Sequence, residues 1–404
     1  MDKQKNKTPF VRFPEFKDGW EHICLNELLS VSKAKNGDLK YGKEDVLSVS
    51  GESGIVNQIE HLGRSYAGVS VHNYGVVELN QMVYTKSPLK ANPYGIIKLN
   101  KHKAGIVSTL YAVYKVNKKT DGQFIEYYFS LDANLNRYLR PLVKKGAKND
   151  MKISNEYVLN DRIYAPQLKE QKNIAHFFNT LDKKINQLKE NHSLLEDYKK
   201  GVMQQIFSQE IRFKKDNGSD FSKWNTIELG DIIKIKSGNS PSKYDLKDSG
   251  NTPFIKVEEL NNCVKNQIKS RYYTDNASDP IPVNSVIFPK RGAAILTNKI
   301  RINSVPLLMD SNLMALICNP KKIHFEFLFY KIVFQKLYKI ADTSTIPQIN
   351  NKHIQPITFE LPSLEEQDKI VKFLLLIEAK IEVLNSQIRE TLNYKKGLIQ
   401  QMFV

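Results

Sequence analysis

Cysteine is almost missing from this chain of 404 residues. Cys24, Cys263 and Cys318 are odd in number and widely spaced, so they form neither a disulfide framework nor a C-x-x-C metal knuckle. No run of about 18 apolar residues and no charged-then-apolar leader occurs, which argues against a membrane span or a secretory signal and predicts a cytoplasmic protein. Gly-x-x-x-x-Gly-Lys-Ser/Thr is absent, so no ATP motor is expected in this chain. The eight histidines are scattered, without H-E-x-x-H or any pair at zinc spacing, and no metal site is expected. Asn92-Pro-Tyr94 is one proline short of the Asn-Pro-Pro-Tyr that amino-methyltransferases use to hold a flipped adenine. It has no glycine-rich methyl-donor turn to accompany it. Glu15-Phe-Lys17 and Glu378-Ala-Lys380 fit the E-x-K of nuclease cores, but such tripeptides are common. No catalytic residue is expected.

Positive charge, in contrast, is in excess. The formal net charge is +17, with 41% apolar residues, an ordinary globular composition sufficient for more than one core. The excess is unevenly placed: residues 1–165 carry +8, 166–209 carry +2, 210–361 carry +7 and 362–404 are neutral. Two separated basic segments suit a chain that neutralises phosphates at two places on a polyanion, although solubility alone also favours net charge.

The chain repeats itself. Pro166-Gln-Leu-Lys-Glu170-Gln171 returns 196 residues later as Pro362-Ser-Leu-Glu-Glu366-Gln367. The match continues without a gap to Tyr198-Lys-Lys-Gly201-Val-Met-Gln-Gln205-Ile-Phe207 against Tyr394-Lys-Lys-Gly397-Leu-Ile-Gln-Gln401-Met-Phe403. A weaker repeat at an offset of 204 aligns the only two tryptophans, Trp20 and Trp224, and pairs Asn80 to Lys86 with Asn284 to Lys290. The order is therefore D1 (1–165), H1 (166–209), D2 (210–361), H2 (362–404).

H1 and H2 read as helices. Ile174, Phe178, Leu181, Ile185, Leu188, His192, Leu195, Lys199, Val202 and Ile206 follow alternating spacings of four and three, and Ile370 to Met402 repeat the pattern. That is a heptad seam. Ser363-x-x-Glu366 has a capping-box pattern, and a helix this long runs about 60 Å. An apolar stripe of that length must be covered, and the sequence predicts that the two helices pack antiparallel as a coiled coil with pseudo-two-fold internal symmetry. Packing and subunit docking are assigned to Phe178, Leu181, Ile185, Leu188, Leu195, Tyr198, Ile206 and Phe207 in H1, and to Leu374, Ile377, Ile381, Leu384, Ile388, Tyr394, Met402 and Phe403 in H2. D1 and D2 read as mixed α+β domains: short strands at Met82–Tyr84, Ser108–Tyr114, Ser285–Phe288 and Leu313–Cys318, and short helices at Glu126–Leu139 and Glu326–Tyr338.

The polar loops of the D segments hold residue types that contact DNA. Arg and Lys pair with guanine, Asn and Gln with adenine, and Ser and Thr with phosphate. In D2 the candidates are Lys290, Arg291, Thr297, Asn298, Lys299, Arg301, Ser344, Thr345, Gln348, Asn350 and Asn351. In D1 they are Lys86, Ser87, Lys90, Asn92, Lys144, Lys145 and Lys148. Solvated surface loops are the plain alternative for any one of them.

H1 and H2 closely resemble the two conserved helical regions of the DNA specificity subunit of type I restriction-modification systems. The Pro-x-Leu-x-Glu-Gln start, the Tyr-Lys-Lys-Gly end and the D1-H1-D2-H2 order all match. Ser344 to Lys352 is similar to the family's Thr-x-Pro-Gln-Ile-Asn lead into the helix, of which D1 keeps only Met151-Lys-Ile-Ser-Asn155. The resemblance implies two target recognition domains that each read half of a bipartite double-stranded target. It implies a helical spacer that sets the gap and docks two modification subunits, with restriction subunits in the full complex. S-adenosylmethionine, ATP and Mg2+ belong to those partners, and this chain would bind no cofactor and catalyse nothing. An enzyme in its own right and a bivalent architectural DNA-binding protein are the competing classes.

Overall fold

A computed structural model describes residues 7–145, 151–342 and 346–404. The chain divides into two compact units: Met1–Lys189 with Ser386–Val404, and Glu190–Asn385.

In the first unit the elements that matter are β1 (Glu21–Cys24), β2 (Leu29–Val31), β3 (Gln81–Thr85), β4 (Ile97–Leu99), β5 (Tyr111–Val116), α1 (Gly122–Ser130), α2 (Asp132–Leu139), β6 (Arg162–Ala165) and the start of α3 (Leu168–Phe207). The second unit holds the rest of α3, then β7 (Asn225–Glu228), β8 (Ile233–Ser237), β9 (Asn266–Gln267), β10 (Val286–Pro289), β11 (Arg301–Asn303), β12 (Leu313–Cys318), α4 (Phe325–Gln335), β13 (Thr358–Leu361) and most of α5 (Leu364–Met402). The last turns of α5 return to the first unit.

The weak repeat in sequence is a clear repeat in topology. The first unit carries a sheet in the order β2-β5-β3-β4, and the second carries β8-β12-β10-β11 with β9 added at the edge. A separate antiparallel pair joins the first strand of each domain to its last, β1 to β6 and β7 to β13. The central strands explain their placement. Ala112-Val-Tyr114 in β5 and Leu313-Met-Ala-Leu316 in β12 are buried on both faces, as β-branched, aromatic and apolar runs at the centre of a sheet are. Helices α1 and α4 lie in equivalent places after these strands. Asp121 caps α1 by accepting from Gln123 N and Phe124 N, and the His324 ring accepts from Glu326 N to cap α4.

Two sequence expectations shift here. The single helix expected over Glu126–Leu139 is two helices, because Leu131 is extended (φ −79°, ψ 113°) and starts a new turn. The strand expected from Ser108 begins at Tyr111, after a turn closed by Tyr111 N donating to Ser108 O. The long helices are 40 and 39 residues.

The seam is buried in each unit. In the first, Phe178 and Ile185 of α3 and Met402 and Phe403 beyond it are buried, Leu181 packs against the same core, and the Phe178 and Phe403 rings stack at 6.1 Å. Asp182 of α3 meets Lys395 of α5, so here the two helices run antiparallel. In the second unit Ile206, Phe207, Leu374, Ile377 and Ile381 are buried, with Leu195 packed on them and Leu384 half-buried. Leu188 and Ile388 are also half-buried. Tyr198 and Tyr394 depart from the packing assignment and are 52% and 57% exposed. Each precedes a seam position, Lys199 or Lys395, by one residue, and one residue turns a helix by about 100°.

Candidate nucleic-acid interface

The Glu-Gln pair at the start of each long helix anchors the domain that precedes it. Trp20 Nε1 donates to Glu170 Oε1 at 3.3 Å, and Arg12 holds both Glu170 oxygens at 2.7 Å. In the second unit Trp224 Nε1 donates to Glu366 Oε2 at 3.0 Å, with Arg212 on both oxygens at 3.1 and 2.7 Å. Gln171 donates to Pro166 O and accepts from Thr120 Oγ1 and Asp121 N. Gln367 donates to Pro362 O and accepts from His324 N. A buried carboxylate needs such charge-assisted partners, and here they tie the first strand of each domain, and the residues that open α1 and α4, to one helix turn.

On that support D2 gathers loops at the end of β10. Lys290 N donates to Asn312 O at 2.9 Å, Ile349 N to Lys290 O at 2.8 Å and Gly292 N to Pro347 O at 2.8 Å, and Arg291 bridges Gln348 in antiparallel register. Lys290 Nζ donates to Ser237 Oγ at 2.9 Å, which draws in the loop after β8. That loop approaches its neighbour so closely that a Cβ on Gly238 would lie 2.0 Å from Asp310 O. Gly292 takes φ 82°, a left-handed turn open to glycine at no steric cost. Lys290, Arg291, Gln348, Asn350 and Asn351 are thereby brought into one surface. Arg291, Gln348 and Asn351 are exposed, while Gln348 Nε2 donates to Asn350 Oδ1 at 3.2 Å. Burial lowers the Lys290 pKa.

The other D2 candidates are occupied inside the domain. Asn298, in the left-handed region, donates to Val333 O and accepts from Leu337 N. Lys299 is bonded to Asn261, Arg301 donates to Leu260 O and Ile300 O, and the exposed Thr297 donates to Ala294 O. Ser344 and Thr345 lie outside the described residues. Ser237 to Pro241, a polar Ser-Gly-Asn-Ser-Pro turn, is a source of site residues that composition alone does not mark. Ser237 ends β8, the strand that stands 204 residues after β2, and it is this strand end that reaches Lys290.

D1 builds a related surface with different residues. Lys86 N donates to Leu110 O at 3.1 Å, the counterpart of the Lys290 bond. Lys86 and Ser87 are half-buried and Lys90 is exposed. Asn92 is buried and its amide donates to Asp132 Oδ1 at 2.8 Å, so it holds the loop to α2. Lys144 and Lys145 pair with Lys152 and Met151 in a two-stranded ribbon, and Lys144 is exposed. Tyr84 OH lies 2.7 Å from Tyr94 O and 3.7 Å from Met151 Sδ, which brings the ribbon beside the loop after β3. Lys148 lies outside the described residues.

Residues 222–394 match the type I restriction modification DNA specificity domain. Over those residues the chain is similar to that family. Among curated relatives, the putative type I restriction enzyme MjaX specificity subunit of Methanocaldococcus jannaschii is 26% identical over 269 residues, 64% of this chain and 62% of that relative. The MjaVIII specificity subunit of the same organism is 24% identical over 319 residues, 74% of this chain and 73% of its own length. The match thus spans under two thirds of the first relative. Two solved structures share this fold across 98% of this chain. One is a chain from a type I restriction-modification system studied for complex assembly and conformational transition (TM-score 0.58, 18% identity, 98% of that chain). The other is the S subunit from M. genitalium (TM-score 0.57, 14% identity, 99% of that chain). Among the described residues no helix is long and apolar enough to cross a membrane, and no group of three His, Cys, Asp or Glu could hold a metal ion.

Proposed function

We propose that this chain is the non-catalytic DNA-recognition subunit of a type I restriction-modification enzyme, with domains 1–165 and 210–361 each reading one half of a bipartite double-stranded target. The observation that carries this reading is one domain architecture used twice, each copy clamped by the same Glu-Gln pair, with different side chains on the corresponding loops. Identical supports with unlike loops suit two readers of unlike sequences. Lys86, Ser87, Lys90, Lys144 and Lys145 in D1 and Lys290, Arg291, Gln348, Asn350 and Asn351 in D2 are the contacts we assign. Loop bases and phosphates are met by the Arg, Gln and Asn side chains as in other base-reading surfaces.

The helices pair antiparallel along their length in this reading, forming a coiled-coil spacer with pseudo-two-fold symmetry that fixes the gap between half-sites. Their outer face docks two modification subunits. Support comes from residues that repeat identically and yet avoid the seam: Tyr198, Lys200, Gln204 and Gln205 are exposed, as are Tyr394, Lys396, Gln400 and Gln401. Between them Gly201 and Gly397 sit inside helices with nothing within 4 Å of a Cβ. A mid-helix glycine costs about 1 kcal/mol relative to alanine, so a glycine retained at both places suits close approach by a second protein. Two equal patches suit two copies of one partner. The modification subunits supply S-adenosylmethionine chemistry at adenine, restriction subunits supply ATP- and Mg2+-dependent translocation and cleavage, and the assembly acts in the cytoplasm.

The test is expression of the full chain with a type I modification subunit in a host free of adenine methylation, followed by base-resolution mapping. A split motif methylated only when both proteins are present is expected. New methylation from this chain alone, or none from a co-purified complex, would overturn the reading.

A further inference from the structure

Each unit contains a second clamp, twelve residues farther along its long helix, around a tyrosine. In the first, Tyr127 OH donates to Asp182 Oδ2 at 2.7 Å, and Asp182 also pairs with Lys395. Lys101 pairs with Glu126 at 2.5 Å, and the ammonium groups of Lys101 and Lys395 stand 5.4 and 5.2 Å from the Tyr127 ring centre. In the second, Glu378 takes Lys199 at 2.7 Å and Lys265 at 2.9 Å, and Lys265 donates to Tyr330 OH at 3.0 Å and pairs with Glu326. Lys199 and Lys265 lie 5.7 and 4.6 Å from the Tyr330 ring centre.

The composition is the same twice: one tyrosine, two lysines, two carboxylates. The helix-borne members repeat at the offset of 196, Asp182 with Glu378 and Lys199 with Lys395. The domain-borne lysine and second carboxylate do not. Lys101 follows β4 whereas Lys265 precedes β9, and Glu126 is adjacent to its tyrosine whereas Glu326 is one turn away. Diverged domains that rebuild one charge set from different positions indicate that the set is needed. Burial pushes the Glu378 pKa up, but the hydrogen bonds from Lys199 and Lys265 outweigh it and hold the carboxyl below its ordinary value. Such a neutralised cluster tolerates only the orientation in which every member is paired.

We propose that Asp182 and Glu378 are positioning residues that fix the angle at which each domain leaves the helices, and with it the permitted gap between half-sites. This rests on the reading of a split target. Tyr127 and Tyr330 act through them. In the complex with a modification subunit, Tyr127→Phe, Tyr330→Phe and Glu378→Gln are compared with the unsubstituted chain by base-resolution methylation mapping, with thermal melting as the folding control. The tyrosine variants keep the ring and remove only the hydroxyl. Methylation at targets with a gap one base pair shorter or longer is expected to rise about tenfold, the factor carried by one charge-assisted hydrogen bond, while both half-sites keep their sequences. A strict gap with methylation lowered evenly at all targets would overturn the proposal and leave the split reading intact. Absence of a split motif with the unsubstituted chain would overturn both.

Discussion

Glu366 accepts from Trp224 at 3.0 Å and from Arg212 at 2.7 and 3.1 Å in a side chain with no exposure. Glu170 repeats the arrangement with Trp20 and Arg12. Removing the carboxylate leaves an arginine and an indole N–H without their acceptor. Glu366→Ala is expected to destabilise by about 2 to 4 kcal/mol, the Arg212 share reduced by its partial exposure. Urea melts of Glu366→Ala would measure this, and a loss under about 0.5 kcal/mol would contradict the clamp.

The glutamine beside it carries a different load. Gln367 Oε1 accepts from His324 N, and its amide donates to Lys322 O and Pro362 O. Gln367→Leu is expected to cost about 1 to 3 kcal/mol, because buried backbone groups lose their partners. Hydrogen exchange at His324 is expected to quicken, and unchanged exchange there would argue against the bond.

How much of this was legible in the sequence depends on whether a residue's task was local. Phe178, Ile185, Leu374 and Ile381 are buried as their spacing implies, since a helix turns seam positions inward regardless of neighbours. Tyr198 and Tyr394, assigned with them to packing and subunit docking, stand beside the seam and are exposed. The strands were found from β-branched and aromatic runs. The meeting of Ser237 with Lys290, of Lys265 with Glu378 and of Tyr84 with Met151 depends on long-range packing that spacing does not encode. Asn298 and Arg301 fit a DNA-contacting composition, yet their hydrogen bonds run to Val333, Leu337 and Leu260, partners that no local pattern reveals.

Lys331 gives a pH signature. It is buried between the Phe207 and Phe359 rings, and burial lowers its pKa from 10.5 to about 8, with Glu360 opposing. A lysine whose folded pKa lies below its unfolded value binds its proton more weakly in the folded state. Stability from this group therefore rises as pH climbs from about 8 toward 10.5 and is missing below that window. Lys331→Met is expected to stabilise the chain at neutral pH by about 1 to 2 kcal/mol, after allowance for the lost cation–π contacts, and to flatten the slope between pH 8 and 10. A melting temperature lowered at pH 7 would contradict this.

Gly201→Ala and Gly397→Ala separate stability from docking. Each is expected to add about 0.5 to 1 kcal/mol to the free chain through helix propensity. Replacement by Leu is expected to weaken capture of the modification subunit while leaving the free chain folded. Undiminished capture by both leucine variants would place docking elsewhere.

The most direct test of split reading is the methylation map of a chain carrying Arg291→Ala and Gln348→Ala, in complex with its modification subunit. Arg291 and Gln348 are exposed, lie in one antiparallel bridge and belong to D2 alone. One half-site is expected to become degenerate while the other half-site and the gap stay unchanged. Loss of sequence preference in both halves together, or in neither, would contradict it.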